Sequence, residues 1–430
     1  MPTTLKNSYS SGRNKLNLEN VLFFCMMFSL IFDYRRSDVD SSSLVVILSL
    51  INVFCSSSLI LLIRKFEKNV IYTLFPIWTF IFIAISSGVM RDQSVYSVFA
   101  QILPAVIFLQ TAFVCSSYIP YNSNSNNFLN IVILSAVFSG IWKFLFSFSY
   151  LDLNIEDVRY QIISGATILL FSYAITSFVI KKRKYMWLSL FLSLGVVFIS
   201  VTRTYILVFL FSIFVTALAL PSSRLKNNFF KGIFLLIVLI GSIFLLQFFV
   251  PSVADRWLER IFSYQSTGGE DLTTLTRIAE INGQIKYMKE DILGFIFGFG
   301  IAAPTEWSGI ELTHIYALLG PGAESRGYSY GHNFYVGCIY VGGIIFGTLL
   351  ISILLYAPLK GLIKLKRVYY YLNDSERFLA MFSICAVLGY SAFGLLGGTF
   401  GDRVMSFYYG IAFGLLVRFN TAVVINKVKD

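Results

Sequence analysis

About a dozen apolar stretches, each close to the length of a bilayer-spanning helix, run through this sequence. They cover about 17–33, 44–63, 70–88, 98–119, 128–148, 162–180, 185–201, 204–220, 232–250, 333–357, 378–397 and 404–419. A spanning helix needs roughly 20 mainly apolar residues. In lipid the backbone must satisfy its own hydrogen bonds, which leaves helices and closed barrels, and runs of this length favour helices. Of the 430 residues 56% are hydrophobic and only 13% charged, about half the charged share of a soluble domain. The expected fold is an all-α polytopic membrane protein with about 12 transmembrane helices.

The charges divide the loops into two sets. The net charge is +11, but the cations sit in short clusters between apolar runs, the pattern of loops held on the cytoplasmic side. That placement argues against a nucleic-acid partner. With the N-terminus inside, about 21 of the 34 Lys and Arg fall on inner segments. They include Arg64 and Lys65, the run Lys181 to Lys184, Lys360 to Arg367, and Arg418. An even number of spans puts both termini in the cytoplasm. The first apolar run ends in Asp33-Tyr34-Arg35-Arg36 with no small-residue cleavage site, so it is expected to be an uncleaved helix.

The organisation expected is 1–250 with nine spans, one long extracytoplasmic loop over 251–332, and 333–430 with three more spans and a cytoplasmic tail. The loop carries two helical patterns. Val253, Trp257 and Ile261 are four apart in 252–264. In 274–293, Ile278, Ile281, Ile285 and Met288 recur at helical spacing, predicting an apolar face. A glycine-punctuated run follows, Gly294-Phe-Ile-Phe-Gly298-Phe-Gly300, too short to span and expected to turn at the membrane surface. All five cysteines fall in apolar runs, with no metal-ligand spacing.

Polar residues with chemical potential gather at the outer side. The two histidines, His314 and His332, both lie in the long loop, and His332 immediately precedes a membrane helix. Imidazole is suited to general-base work near neutral pH. Arg203 stands in a link between two spans so short that it must sit at the outer interface, a costly place for a charge unless it is paired or snorkels. Arg277 is expected in the first turn of the second loop helix. There a cation opposes the helix dipole unless a phosphate shares the site. Arg256 and Arg260 flank Trp257 and read as solvated or sugar-facing cations. Lys143 lies inside an apolar run. Asp38 and Asp40 form a carboxylate pair that Arg35 and Arg36 can neutralise, so no metal is expected.

Three segments together resemble the O-antigen polymerase and O-antigen ligase family of membrane glycosyltransferases. They are Arg203-Thr-Tyr-Ile-Leu207 at an outer helix end; Thr276-Arg277 leading to Phe297-Gly298-Phe299-Gly300; and His332-Asn333, nine residues, then Gly343. The family's second glycine is displaced here by one place, to Gly347. The resemblance spans roughly 185–357 and implies a C-type glycosyltransferase fold in a bacterial inner membrane. It implies a glycan donor on undecaprenyl diphosphate, bound at the periplasmic face, with no metal or other cofactor. On that reading Arg203 and Arg277 grip the diphosphate and His332 deprotonates the acceptor. Asn333 orients the histidine or a sugar, and Trp257, Trp307, Tyr330 and neighbouring tyrosines offer stacking surfaces. The expected activity is polymerisation of lipid-linked repeats into an O-antigen or capsule-type polysaccharide, with a chain-length regulator as partner. The alternatives are ligation of the polymer to lipid A–core, and a lipid-linked oligosaccharide flippase.

Overall fold

A computed structural model describes residues 18–32, 43–63, 67–117, 125–148, 162–221, 272–309 and 330–422, with single positions at 241, 248, 251, 255 and 257. Among the described residues the fold is all-helical, with no strand. Five helices are long and apolar enough to cross a membrane. In our numbering these are α3 (Lys68–Met90), α4 (Val95–Ser117), α5 (Ser125–Phe148), α11 (Phe334–Val368) and α12 (Asp374–Phe393). Shorter apolar helices lie among them: α1 (Leu18–Phe28), α2 (Ser43–Leu62), α6 (Thr167–Val179), α7 (Met186–Ser200) and α8 (Arg203–Ala219). The bundle closes with α13 (Arg403–Thr421). The expected span over 232–250 lies outside the described residues, save positions 241 and 248.

Packing explains which helices are central. Every residue of α6 from 167 to 177 is buried, so this helix is enclosed by neighbours on all sides. α13 lies against α4 through Gly410 and Gly414, where an added Cβ would meet the backbone at Phe108 and Ala112. Small residues four apart let two backbones approach, which is how helices associate without a hydrophobic driving force. The apolar run over 162–180 is helical only from Thr167. Before it, Ser164 and Gly165 offer their carbonyls to Tyr205 Oη at 3.5 Å and Tyr390 Oη at 2.9 Å. Irregular backbone at this depth is tolerated because the protein itself satisfies it.

The run over 333–357 is not one straight span. Gly343 has φ +72° and ψ 171°, and α11 breaks there. Gly347 sits against the carbonyl of Cys338 and the Cα of Ile339. A continuous helix rising 1.5 Å per residue would hold those positions about 12 Å apart. The chain therefore makes a nine-residue helical segment, turns, and sets off again. Only glycine adopts this φ and ψ without steric cost.

Two faces of the bundle differ in content. One, the loop face, carries the segment 272–309, the start of α8 and the start of α11. The other, the basic face, carries 181–184, the end of α11 and the start of α12.

Candidate functional site

The loop-face segment folds as α9 (Leu272–Glu290) and α10 (Ile292–Phe297), followed by the turn at Gly298–Gly300. The helix predicted over 274–293 is present, but its buried face differs from the one expected. Ile278 is exposed, whereas Ala279, Glu280, Gly283 and Gln284 are buried. The reason is what α9 packs on. Gly283 lies against the backbone of Glu306, and Ser308 N–H donates to the Ala279 carbonyl at 3.1 Å. The partner surface is loop backbone, which small and polar side chains fit. Arg277 also moves relative to expectation: α9 begins by Leu272, so Arg277 lies beyond the first turn, and a phosphate shared with the helix terminus no longer accounts for it.

The Gly298–Gly300 turn has a defined task. Phe299 N–H donates to the Tyr340 carbonyl at 2.9 Å, and Gly300 N–H to the Val341 carbonyl at 3.2 Å. These are free carbonyls at the end of the short first segment of α11, groups a helix terminus must have satisfied. Gln93 clamps the same turn, donating to the Phe299 carbonyl at 2.7 Å and accepting from Ala302 N–H at 2.9 Å. The turn thereby fixes the segment that begins at Asn333.

His332 sits at the mouth of this assembly. Glu280 Oε2 accepts from the His332 backbone N–H at 2.8 Å and lies 2.9 Å from Nδ1. The imidazole is 55% exposed while the glutamate side chain is 5% exposed. An ionised carboxylate only accepts, so beside it a neutral ring holds its proton on Nδ1 and keeps its lone pair on Nε2. Gly331 makes room for the pair: its φ is +60°, and a Cβ there would stand 2.8 Å from the Glu280 Cδ. Glu280 makes the bonds to the histidine, one of the two roles expected of Asn333, the other being contact with a sugar. Asn333 instead caps α11, its Oδ1 accepting from Tyr335 N–H and Val336 N–H at 3.1 Å each.

The two arginines lie on different helices, Arg203 on α8 and Arg277 on α9. Arg277 stands three residues before Glu280 on α9, a spacing that puts Cβ atoms about 5–6 Å apart. Arg203 is the first residue of α8, after Thr202 and a left-handed Val201 at φ 49°. A β-branched residue in that region is strained, and the strain sits in the link that sets the direction of α8. Beside Arg203, Thr204 opens an apolar cavity of about 660 Å³ between α8, α11 and α12. Its walls include Leu207, Phe211 and Leu355, and Tyr335, three residues after His332. From Thr204 to Phe211 along α8 it descends about 10 Å from the loop face.

Two aromatic residues expected to stack on sugars are engaged elsewhere. Trp257 is 1% exposed, packs on Val201 and Ile206, and donates its indole N–H to the Phe198 carbonyl at 3.0 Å. It closes the end of α7 next to Arg203. Tyr330 is 5% exposed among Phe80, Phe334 and Phe400, and burial pushes its phenol well above the usual tyrosine range. Arg256, Arg260, His314 and the Asp38–Asp40 pair lie outside the described residues. Lys143 is buried within α5.

No protein-family model matches the chain, and no curated protein matches it.

Proposed function

We propose that this chain is a membrane glycosyltransferase that polymerises oligosaccharide repeats carried on undecaprenyl diphosphate, at the face bearing the loop. The observation that carries the reading is the buried Glu280 holding an exposed His332, on the same helix as Arg277. A buried carboxylate that fixes an imidazole tautomer leaves a base free at Nε2. The apolar cavity beside Arg203 gives an isoprenoid tail somewhere to lie. This is the inner membrane of a bacterium on the same reading, with both termini cytoplasmic.

The chemistry follows from those groups. The acceptor hydroxyl gives its proton to His332 Nε2 and its oxygen attacks C1 of the donor sugar. The bond from C1 to the diphosphate oxygen breaks, and the diphosphate leaves with the electron pair. Arg203 and Arg277, always charged and able to bind phosphate bidentately, neutralise it. In-line attack inverts the anomeric centre. The arginines carry the charge that a divalent cation carries in other phosphate-leaving reactions, so the reading needs no metal.

The test is extension of a purified lipid-linked repeat by the purified protein, with His332→Ala, Arg203→Ala and Arg277→Ala beside it. A ladder of repeats from the wild type, lost in all three variants, supports the proposal. Transfer of finished polymer onto lipid A–core without extension marks a ligase. Movement of the lipid-linked repeat across vesicles without extension marks a flippase and overturns the enzymatic reading. Normal ladders from a well-expressed His332→Ala protein remove the base assignment.

A further inference from the structure

The short helix α10 exposes a face that its sequence does not suit to water. Ile292 is 66% exposed, Leu293 63% and Phe297 49%. Nearby at the end of α3, Val89 is 57% exposed and Met90 84%. These residues do not stand alone. Phe75, Trp78 and Phe82 form a stacked, exposed stripe along α3, and Val89 falls on the same side at 100° per residue. α3 is long and apolar enough to cross a membrane, and an exposed aromatic stripe on such a helix is the side suited to lipid.

The height of α10 is fixed by its contacts. Ser87 Oγ donates to the Phe297 carbonyl at 3.1 Å, and Arg91 donates to Asp291 at 2.6 Å. The Arg91 guanidinium also lies 4.6 Å from the Phe299 ring centroid. So α10 stands level with residues 87–91. A helix as long as α3, 23 residues, extends about 34 Å, slightly more than the roughly 30 Å hydrocarbon core. Its last turn therefore lies at the boundary between acyl chains and headgroups. The polar features of α10 point the same way. Asp291 caps it, accepting from Leu293 and Gly294 N–H, so its first donors are satisfied without water. The Gly294 backbone donor, then Arg91, hold the Asp291 carboxyl below the usual range, as suits a charged rim above an apolar patch.

We propose that the Ile292, Leu293 and Phe297 face of α10 is an interfacial anchor whose partner is the lipid bilayer, continuous with the lipid-facing stripe of α3. Interfacial helices bury an apolar face about 5–10 Å into the headgroup and acyl boundary. One residue, Asp291, joins α10 to α9. The anchor therefore sets the height of Glu280 and Arg277 above the membrane. That last consequence rests on the proposed function; the anchor does not.

The test needs no substrate, so it stands or falls apart from glycosyl transfer. A nitroxide is attached at Leu293→Cys in full-length protein in phosphatidylcholine vesicles, with the exposed Cys25 replaced by Ser; the other four cysteines are buried. Collision rates with oxygen and with a water-soluble nickel chelate are compared with those of labels at Phe82→Cys and Lys289→Cys. The anchor predicts an oxygen-dominated ratio at 293, as at 82, and a depth of about 5–10 Å below the phosphates. Nickel access at 293 equal to that at 289 would overturn it. So would shielding from both reagents, which would mark a protein surface, such as a second copy, covering the patch.

Discussion

The two faces of the bundle use similar charged residues to different ends. On the basic face, cations are committed to helix termini. Lys364 Nζ donates to the carbonyls of Phe419, Asn420 and Ala422, closing the end of α13. Arg377 donates to the Tyr369 carbonyl and to Asp374, Arg183 lies over the Phe378 ring, and Arg418 pairs with Glu67. Each of these groups is explained by the fold it holds. On the loop face the arrangement is inverted: the carboxylate of Glu280 is buried and the titratable ring it holds is exposed. Burying a carboxylate is costly unless it is well paired, and here the bonds it makes orient a histidine at the surface. The difference separates charges that hold helix ends, Arg91 and Asp291 on the loop face among them, from a buried carboxylate that holds a titratable ring at the surface, the base of the proposed function.

That contrast predicts which substitutions change rate and which change stability. The largest effect is expected at His332: His332→Ala should lower repeat extension by about 10²–10⁴, the contribution of a positioned base, with the thermal midpoint little changed. Arg277→Ala and Arg203→Ala should each cost roughly 10²–10³ in rate, the scale of losing one preorganised donor to developing charge. Single-turnover extension with saturating donor measures both.

Glu280→Gln sharpens the comparison further. An amide offers Nδ1 a donor as well as an acceptor, which allows the wrong tautomer. The loss should reach at least about tenfold and should exceed any loss of donor binding, because the wrong tautomer is a defect of the chemical step. The readout is the split between turnover rate and half-saturating donor concentration; a purely structural Glu280 would lower the folded fraction and leave the rate per folded molecule intact.

Much of this was legible in the sequence, and the reason is periodicity. Apolar run length located the described helices outside the loop, five of them long and apolar enough to cross a membrane, and a helical repeat placed α9 though not its buried face. His332 stands out as one of two histidines in the sequence, placed directly before a membrane helix, and Arg277 as a cation expected in a first helical turn. Glu280 is not legible in the sequence, because a glutamate in a polar helix reads as solvated. Its burial depends on Gly331, 51 positions later, which lies against the Glu280 carboxylate in space. The break at Gly343 escaped for a similar reason. A glycine in an apolar run reads as a tolerated interior residue, and only the carbonyls capped by the Gly298–Gly300 turn reveal that the helix ends there. The cap that Asn333 makes on α11 belongs to no expectation drawn from the sequence, where the residue entered only through the resemblance.

Smaller effects should divide along the same line. Gly343→Ala should destabilise the protein by about 1–3 kcal/mol, since the residue must take φ +72° and its Cβ would meet the Ile296 backbone; denaturant unfolding in detergent measures this. Lys364→Met should remove about 1–3 kcal/mol of stability by leaving helix-end carbonyls unsatisfied, with extension per folded molecule unchanged. A Lys364→Met protein that folds normally but no longer extends chains would break the distinction between the two faces.

The most direct test of the account is the single-turnover extension rate of the wild type, His332→Ala and the Glu280→Gln, His332→Ala double variant in one lipid environment. If Glu280 acts through His332, the double variant is no slower than His332→Ala alone, since the two losses describe one group. Two losses that multiply would contradict that assignment, and a wild-type rate in His332→Ala would remove the site altogether.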